Sequence, residues 1–261
     1  MPDDSAPEYP RYPDLTGKTA VVTGGSRGIG AATARALAAN GTIVAVLSRD
    51  EDALVAVTDD IQARGGRALA VRADCTDEAE ISRAAETIRD ELGPADILAA
   101  FVGGNGMPVP TPQETAGHWR EVIESDLTST FLTVSAFMPA MIERQRGSII
   151  TMSSAAARQA AQSNAAYAAA KAGVIAFTRH LANEIAPDGV RVNCLAPSAV
   201  ENDRMRTWTT VGQREQLAAS FPLRRIGQPD DVAAATLFLA SNASSWITGI
   251  TLDIAGGKIM L

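Results

Sequence analysis

The sequence is poor in several residue types, and each shortage excludes a class of protein. Only two cysteines, Cys75 and Cys194, and two histidines, His118 and His180, occur among 261 residues. Neither cysteine has a CxxC partner, so we expect no metal site and a reducing compartment. The longest uncharged apolar run is Ile97 to Val102. Since a transmembrane helix needs about 20 such residues, we expect no membrane span.

Positive charge is scarce as well. The chain has 23 Lys and Arg against 30 Asp and Glu, which gives a formal net charge of −7. A polyanion such as a nucleic acid is therefore not an expected partner. Residues 1–14 are acidic and proline-rich, whereas a signal peptide is basic and then apolar. We predict a loose N-terminal tail over residues 1–14 and a cytoplasmic protein.

From Lys18 onward, short β-branched segments alternate with longer segments rich in Ala, Glu and Arg. No cluster of proline or glycine marks a boundary, so residues 15–261 are predicted to form one domain. This alternation predicts an α/β fold, a doubly wound parallel sheet of about seven strands with helices on both faces. The predicted strands are Thr19 to Thr23, Ile43 to Leu47, Ala68 to Ala73, Ile97 to Val102, Ser148 to Met152, Arg191 to Leu195 and Ile250 to Ile254.

Sheets of this type bind ligands beyond the carboxyl ends of their strands. The segments expected together on that rim are 23–30, 48–50, 74–77, 102–105, 153–154 and 196–202. Two segments, 104–117 and 198–225, interrupt the alternation, and both are candidates to cover a substrate. Met205, Trp208 and Phe221 in the second segment suggest an apolar ligand, or equally the internal packing of a lid or a subunit contact.

The segment TGGSRGIG, Thr23 to Gly30, follows the first predicted strand and allows two chemical interpretations. Its match to G-x-S-x-G is typical of a hydrolase nucleophile, which needs a histidine on a rim loop. His180 instead lies inside a predicted helix, so this interpretation is the weaker one. Glycines at the start of a helix also let backbone N–H groups approach a pyrophosphate. Taken alone, the glycines are also compatible with a plain strand-to-helix turn.

Tyr167 and Lys171 are four residues apart in YAAAK and therefore share one face of a predicted helix. A neighbouring ammonium favours the phenolate form of a tyrosine, which suits acid–base chemistry. Ser154, at the end of a predicted strand, is placed to hydrogen-bond the same substrate oxygen. A surface Tyr and Lys on an ordinary helix is the alternative, and the glycine turn upstream favours the catalytic interpretation.

Together these motifs resemble the short-chain dehydrogenase/reductase family from Leu15 to the C-terminus. The matching segments are TGGSRGIG, Asp74 in RADCTD, Ser153-Ser154, YAAAK, VRVNCLAP (190–197) and ITGITLDIAGG (247–257). The resemblance implies one Rossmann-type domain that moves a hydride between a nicotinamide and a carbonyl or alcohol carbon. It implies that Tyr167 donates a proton to the carbonyl oxygen, that Lys171 favours the phenolate and binds the ribose, and that Ser154 orients the carbonyl. Asp74 would accept from the adenine amine.

The same resemblance implies a set of cofactor contacts. They are Gly24, Ser26, Arg27, Gly28, Ile29, Gly30, Ser48, Arg49, Asp74, Cys75, Gly103, Tyr167, Lys171, Pro197, Ser198 and Val200. An arginine after the second strand pairs with a 2′-phosphate, whereas an acidic residue there binds a 2′-hydroxyl. Arg49 stands at that position and Arg27 adds a second cation, so NADP(H) is favoured over NAD(H). Asp50 and Glu51 weaken this argument, and either arginine can also be a solvated surface charge.

Three positions depart from the family pattern. The usual Asn-Asn-Ala-Gly after the fourth strand is Ala100 to Gly103 here, and the usual Pro-Gly after the sixth is Pro197-Ser198, with Asn202 where threonine is frequent. The family's catalytic asparagine corresponds to Asp126. A carboxylate close to Lys171 would favour the ammonium and disfavour the neighbouring phenolate. Alternatively, Asp126 is paired with an arginine in a helix interface.

Within the family, the sequence most resembles 3-oxoacyl carrier-protein reductases. We therefore expect an NADPH-dependent reductase of a 3-oxoacyl thioester or a related ketone. One alternative is an NAD(P)-dependent dehydrogenase of a sugar, a steroid or another secondary alcohol. A cofactor-binding protein without turnover is a second alternative, since fold alone does not imply function. The resemblance also implies a homotetramer.

Overall fold

The structure, a computed structural model, describes residues 9–104, 109–160 and 163–260. Its centre is a sheet of seven strands in the order β3-β2-β1-β4-β5-β6-β7, with every neighbouring pair parallel. The strands are β1 (Thr19–Thr23), β2 (Ile43–Ser48), β3 (Arg67–Arg72), β4 (Ile97–Ala100), β5 (Gly147–Met152), β6 (Val190–Pro197) and β7 (Thr251–Ile254). The predicted parallel sheet of about seven strands is confirmed.

Helices cover both faces of this sheet. They are α1 (Gly28–Ala39), α2 (Glu51–Ala63), α3 (Glu78–Leu92), α4 (Ala116–Ile123), α5 (Ser129–Glu143), α6 (Ala165–Ile185), α7 (Asp203–Trp208), α8 (Val211–Ala219) and α9 (Pro229–Ala240). One core layer contains buried residues of α1, α2 and α9, and the opposite layer contains those of α3, α5 and α6. Val21 and Val22 are both fully buried and belong to opposite layers. Both faces of β1 are therefore covered, which explains its continuous apolar sequence.

Side-chain caps start several of the helices that follow strands at the carboxyl rim. Asp50 caps α2 by accepting from Ala53 N at 3.1 Å, and Asp77 caps α3 through two backbone N–H groups. Short side chains with an oxygen acceptor are preferred at such positions because the first turn of a helix leaves its N–H groups unpaired. These caps fix where each rim loop ends and where its helix begins.

The predicted loose tail is wrong for residues 9–14. Tyr9 Oη donates to Asp230 Oδ1 at 2.8 Å, and Tyr12 N donates to Asn40 Oδ1 at 2.8 Å. The Asn40 side chain also donates to Pro10 O at 3.1 Å, so a buried amide at the end of α1 is satisfied by this segment. The segment therefore ties α1 to α9 instead of extending into solvent. Residues 1–8 lie outside the described residues.

Of the two segments expected to cover a substrate, the first is described only in part, since residues 105–108 lie outside the description. The second, 198–225, contains α7 and α8. Phe221 at its end is 3% exposed, and the ammonium of Lys258 lies 4.9 Å from its ring centroid. Phe221 therefore anchors the segment to the C-terminal residues. For this side chain, the structure favours internal packing of the segment over contact with a ligand. Trp208 remains exposed.

Across the described part of the chain, no helix combines the length and the apolar character needed to cross a membrane. The same residues contain no group of three or more His, Cys, Asp or Glu that could hold a metal ion. The cytoplasmic location stays a prediction.

Candidate active site

The turn between β1 and α1 has the geometry of a phosphate cradle. Gly24 and Gly28 have φ values of +65° and +50°, a region that side chains disfavour. At Gly30 a Cβ atom would overlap the carbonyl oxygen of Gly24 and lie 2.7 Å from its carbonyl carbon. The N-cap residue of α1, Arg27, is extended and makes no side-chain cap bond with any described residue. This close backbone approach at the N-terminus of α1 fits the pyrophosphate of a dinucleotide.

The two arginines expected to bind a 2′-phosphate lie on neighbouring loops, Arg27 in the turn between β1 and α1 and Arg49 directly after β2. Arg27 pairs with Asp50 across the turn, and Arg49 Nη1 lies 3.5 Å from Asp74 Oδ2. Their side chains are 67% and 74% exposed, so solvent weakens both ion pairs to about 1 kcal/mol or less. Both guanidinium groups are consequently able to leave their carboxylates for a phosphate. Ser48 ends the strand, and its Oγ accepts from Asp50 N at 3.1 Å.

Asp74 and Cys75 follow β3 and play different structural roles. Burial opposes ionisation of Asp74, but hydrogen bonds from the backbone and hydroxyl of Thr76 outweigh it and hold the pKa of Asp74 below its usual value. The Cys75 thiol points into the core, where burial raises its pKa to about 11. Only the backbone of Cys75 therefore lies at the rim, whereas the Asp74 carboxylate is partly exposed there.

The proposed catalytic side chains come from β5 and α6. Ser154 follows β5 and starts a short 3-10 helix, with its Oγ accepting from Ala156 N at 3.2 Å. Asn164 caps α6 by accepting from Tyr167 N at 2.6 Å, so Tyr167 lies in the first turn of that helix. Lys171 is one turn further along, with Nζ 5.7 Å from the Tyr167 ring centroid. The helix thus places the ammonium beside the phenol, as the four-residue spacing predicts.

Lys171 is 2% exposed and its ammonium is held by two acceptors. Nζ donates to Met152 O at 3.0 Å and lies 3.1 Å from Asp126 Oδ1. Asp126 belongs to a five-residue π-helix, Glu124–Thr128, that joins α4 to α5. Two surroundings were open for Asp126, a position close to Lys171 or a pairing with an arginine in a helix interface. The structure has the first, and among the described residues Asp126 has no arginine partner.

The remaining expected cofactor contacts lie after β4 and β6. Gly103 has φ +140°, and a Cβ there would lie 2.8 Å from Lys171 Nζ and overlap Asp126 Oδ1. Pro197 ends β6, and Ser198 N donates to Ile254 O at 3.0 Å. Val200 is 7% exposed and packs in the core, so its backbone alone is at the rim.

Some groups at this site were not predicted from the sequence. The Met152 carbonyl that binds Lys171 carries no sequence signal, because every residue supplies such an oxygen. The backbone N–H of Gly104, which donates to Asp126 Oδ1 at 2.9 Å, likewise cannot be predicted from the residue type. Asn164 could have been found, since an asparagine directly before an apolar helical segment is a standard N-cap signal.

Comparison with known proteins identifies the family. The family model described as Enoyl-(Acyl carrier protein) reductase matches residues 24–258. The chain belongs to the short-chain dehydrogenase/reductase family. It is 38% identical over 250 residues to the 3-oxoacyl-[acyl-carrier-protein] reductase FabG of Escherichia coli, a match that covers 95% of this chain and 100% of the relative.

Two further relatives show how broad this similarity is. The 7alpha-hydroxysteroid dehydrogenase of Escherichia coli is 36% identical over 245 residues, covering 94% of this chain and 95% of the relative. The crystal structure of 3-oxoacyl-[acyl-carrier protein] reductase from Brucella melitensis superimposes with a TM-score of 0.89 and 31% identity. That match covers 96% of this chain and 94% of the solved one. The chain is thus similar both to 3-oxoacyl-[acyl-carrier-protein] reductases and to a hydroxysteroid dehydrogenase.

Proposed function

We propose that this short-chain dehydrogenase/reductase is an NADPH-dependent reductase of ketones of the 3-oxoacyl thioester class. The observation that carries the proposal is the buried Lys171 ammonium beside Tyr167, on a helix that begins at the same rim as the phosphate cradle. This pair suits protonation of an oxygen that gains charge as a carbonyl is reduced. The FabG relatives at 37% and 38% identity support the substrate class.

Each side chain has a separate task in this proposal. When bound, a nicotinamide dinucleotide supplies the hydride that reduces the carbonyl carbon. Tyr167 donates its phenolic proton to the carbonyl oxygen, and the Ser154 hydroxyl donates a hydrogen bond that orients that oxygen. The Lys171 ammonium stabilises the phenolate that remains. Two of its three hydrogens bond to Asp126 and Met152, and the third is left to hold a ribose hydroxyl.

A panel of carbonyl substrates tests this function. With NADPH present, we expect oxidation of NADPH on addition of a 3-oxoacyl thioester, and weaker oxidation with simple cyclic ketones. A hydroxysteroid with NADP⁺ represents the second candidate function, which the hydroxysteroid dehydrogenase relative favours. A saturated acyl thioester serves as the negative control, because it has no 3-oxo group to reduce. Tight NADPH binding without turnover of any carbonyl would instead support the binding-protein alternative.

Cofactor preference gives a second test. We expect NADPH to bind about tenfold or more tightly than NADH, because a guanidinium and a 2′-phosphate form a charge-assisted pair. Replacing Arg49 with Asp is expected to reverse this order, since a carboxylate repels the phosphate and accepts from the 2′-hydroxyl. Dissociation constants of both cofactors, measured by fluorescence titration, check this expectation.

The control for that variant carries the same change in charge away from the rim. Arg67 is exposed at the start of β3, at the opposite end of the strand from the cofactor turn. Arg67→Asp is expected to leave the ratio of the two constants unchanged. Equal constants for NADPH and NADH in the unsubstituted protein would remove Arg49 and Arg27 from cofactor selection.

The proposal includes assembly as a homotetramer, which family membership suggests. Phe131 on α5 is 50% exposed and contacts Phe177 on α6, with ring centroids 6.1 Å apart, and Trp246 is 99% exposed. Exposed aromatic side chains of this kind are frequent in subunit contacts. The small residues of the segment AAYAAAKAGVIAF, 165–177, would let helices of two subunits approach closely. Gly173 in this segment is also needed within the chain, because a Cβ there would lie 2.9 Å from Leu127.

A further inference from the structure

We propose that Asp126 is a positioning residue that acts through Lys171. Its carboxylate fixes the ammonium against the loop after β4 and offsets part of the positive charge that favours the Tyr167 phenolate. This inference rests on the proposed function, in which Tyr167 is the acid of reduction and the base of alcohol oxidation. According to this inference, Asp126 sets the pH range of the reaction. The family has a neutral asparagine at this position.

The carboxylate is completely enclosed and bonded on both oxygens. Asp126 is 0% exposed; Oδ1 accepts from Gly104 N at 2.9 Å and lies 3.1 Å from Lys171 Nζ. Oδ2 accepts from Ser125 Oγ at 2.7 Å. A buried charge is tolerated only when it is paired and hydrogen-bonded, and these three donors meet that requirement. Asp126 and Lys171 therefore form one unit with the loop after β4.

That loop is shaped around the ion pair. Gly103 has φ +140°, and a Cβ there would collide with both partners, at 2.8 Å from Lys171 Nζ and still closer to Asp126 Oδ1. The Gly104 N–H points at the carboxylate, so the loop is bonded to the same oxygen as the ammonium. In this chain the amide side chains usual after the fourth strand are absent at Ala100 to Gly103. The Asp126 carboxylate instead supplies the acceptor that orders the loop.

The charge of Asp126 also acts on the phenol. An isolated ammonium beside Tyr167 stabilises the phenolate, whereas an ammonium 3.1 Å from a carboxylate forms a pair with no net charge. The titratable groups that the described structure places against the ammonium are Asp126, Tyr167 on its own helix and Cys194 on β6. Burial raises the pKa of the Cys194 thiol, so this thiol stays neutral. Asp126 is therefore the group whose charge can be removed to change the electrostatics at Tyr167.

The test uses Asp126→Asn, which keeps an oxygen acceptor for Lys171 and Gly104 N while removing the charge. Alcohol oxidation with NADP⁺ requires the phenolate and therefore rises with pH. We expect Asp126→Asn to move this rise toward lower pH by about one unit, because the phenolate gains the full effect of the ammonium. The dissociation constant of NADP⁺ is expected to stay within about threefold of the unsubstituted value, since the positioning bonds persist. Asp126→Leu removes both the charge and the acceptor, and should reduce kcat more than tenfold, a loss that Asn largely rescues.

A second readout does not depend on turnover. Ultraviolet titration of tyrosinate, taken as the difference between each protein and its Tyr167→Phe counterpart, reports ionisation of Tyr167 directly. We expect Tyr167 to ionise at lower pH in Asp126→Asn than in the unsubstituted protein. If no alcohol or ketone is turned over, the proposed function fails, and this titration still decides the role of Asp126.

Glu124→Gln is the matched control, because Glu124 is an exposed carboxylate on the same π-helix. It is expected to leave both the pH profile and the tyrosinate titration unchanged. Superimposable profiles and titrations for the unsubstituted protein and Asp126→Asn would overturn the proposal and leave Asp126 a purely structural partner of Lys171. A shift of equal size in Glu124→Gln would also overturn it, since the effect would then be one of overall charge.

Discussion

Tyr167→Phe is expected to lower kcat for ketone reduction by about a thousandfold, within the range of general acid catalysis. In the proposed mechanism the phenol hydroxyl meets the substrate oxygen mainly as negative charge develops there, so its loss would affect the transition state far more than the bound ground state. Affinity for NADPH should change by less than about threefold, because the cradle and Lys171 remain in place. Steady-state oxidation of NADPH and a fluorescence titration of the cofactor measure the two quantities.

Tyr12→Phe is the control for this variant, as it makes the same change at a residue that packs against the end of α1. It should leave kcat unaffected. Turnover of Tyr167→Phe above about a tenth of the unsubstituted rate would exclude Tyr167 as the acid, since general acids contribute at least about a hundredfold. Ser154 would then be the next candidate for the acid, because it also carries a hydroxyl and lies at the rim, just after β5.

The sheet could be predicted from the sequence because its strands are local apolar segments of typical length. Boundaries differ where a tertiary contact intervenes. The fourth strand was predicted to reach Val102 but ends at Ala100, because Phe101 N donates to Thr23 Oγ1 and the chain then turns at Gly103. The sixth strand continues to Pro197 because β7 lies beside its last four residues.

The N-terminal segment shows what composition alone misses. Acidic and proline-rich residues predict disorder, yet Tyr9 and Tyr12 reach partners far away in sequence, Asp230 and Asn40. No property of residues 9–14 indicates these partners, because they become neighbours only after α1 and α9 have packed together. The same holds for the hydrogen bond that the Asn40 side chain donates to Pro10 O.

At the site, the sequence predicted groups that lie within one motif and missed pairings between motifs. The spacing of Tyr167 and Lys171 places them on one helix face, as observed. By contrast, the sequence left the surroundings of Asp126 open, because α4 and α5 had first to be placed against α6. Cys75 and its neighbour Asp74 point in opposite directions, the thiol into the core and the carboxylate to the rim. The sequence does not predict this, because a loop residue belongs to no periodic pattern of buried and exposed positions.

Gly30→Ala is expected to weaken NADPH binding at least about tenfold and to destabilise the fold by about 1–3 kcal/mol, the usual cost of overpacking. The added Cβ would overlap the carbonyl oxygen of Gly24 and lie 2.9 Å from Gly25 Cα. Since both neighbours are backbone, no side chain can rotate away, and α1 must move relative to the turn. That movement would displace the backbone N–H groups that we propose to bind the pyrophosphate.

Gly117→Ala separates this effect from the general consequence of replacing glycine in a helix. A Cβ at Gly117 would meet a single described atom within 4 Å, Thr115 Oγ1 at 3.9 Å, and Gly117 lies in α4, away from the turn. Alanine there should stabilise the protein by up to about 1 kcal/mol, because alanine is the better helix former. Urea unfolding and a cofactor titration on both variants measure the two quantities. If Gly30→Ala bound NADPH as tightly as Gly117→Ala does, close contact between the first turn of α1 and Gly24 would not be needed for the cradle. Binding of the dinucleotide would then have to depend on Arg27 and Arg49.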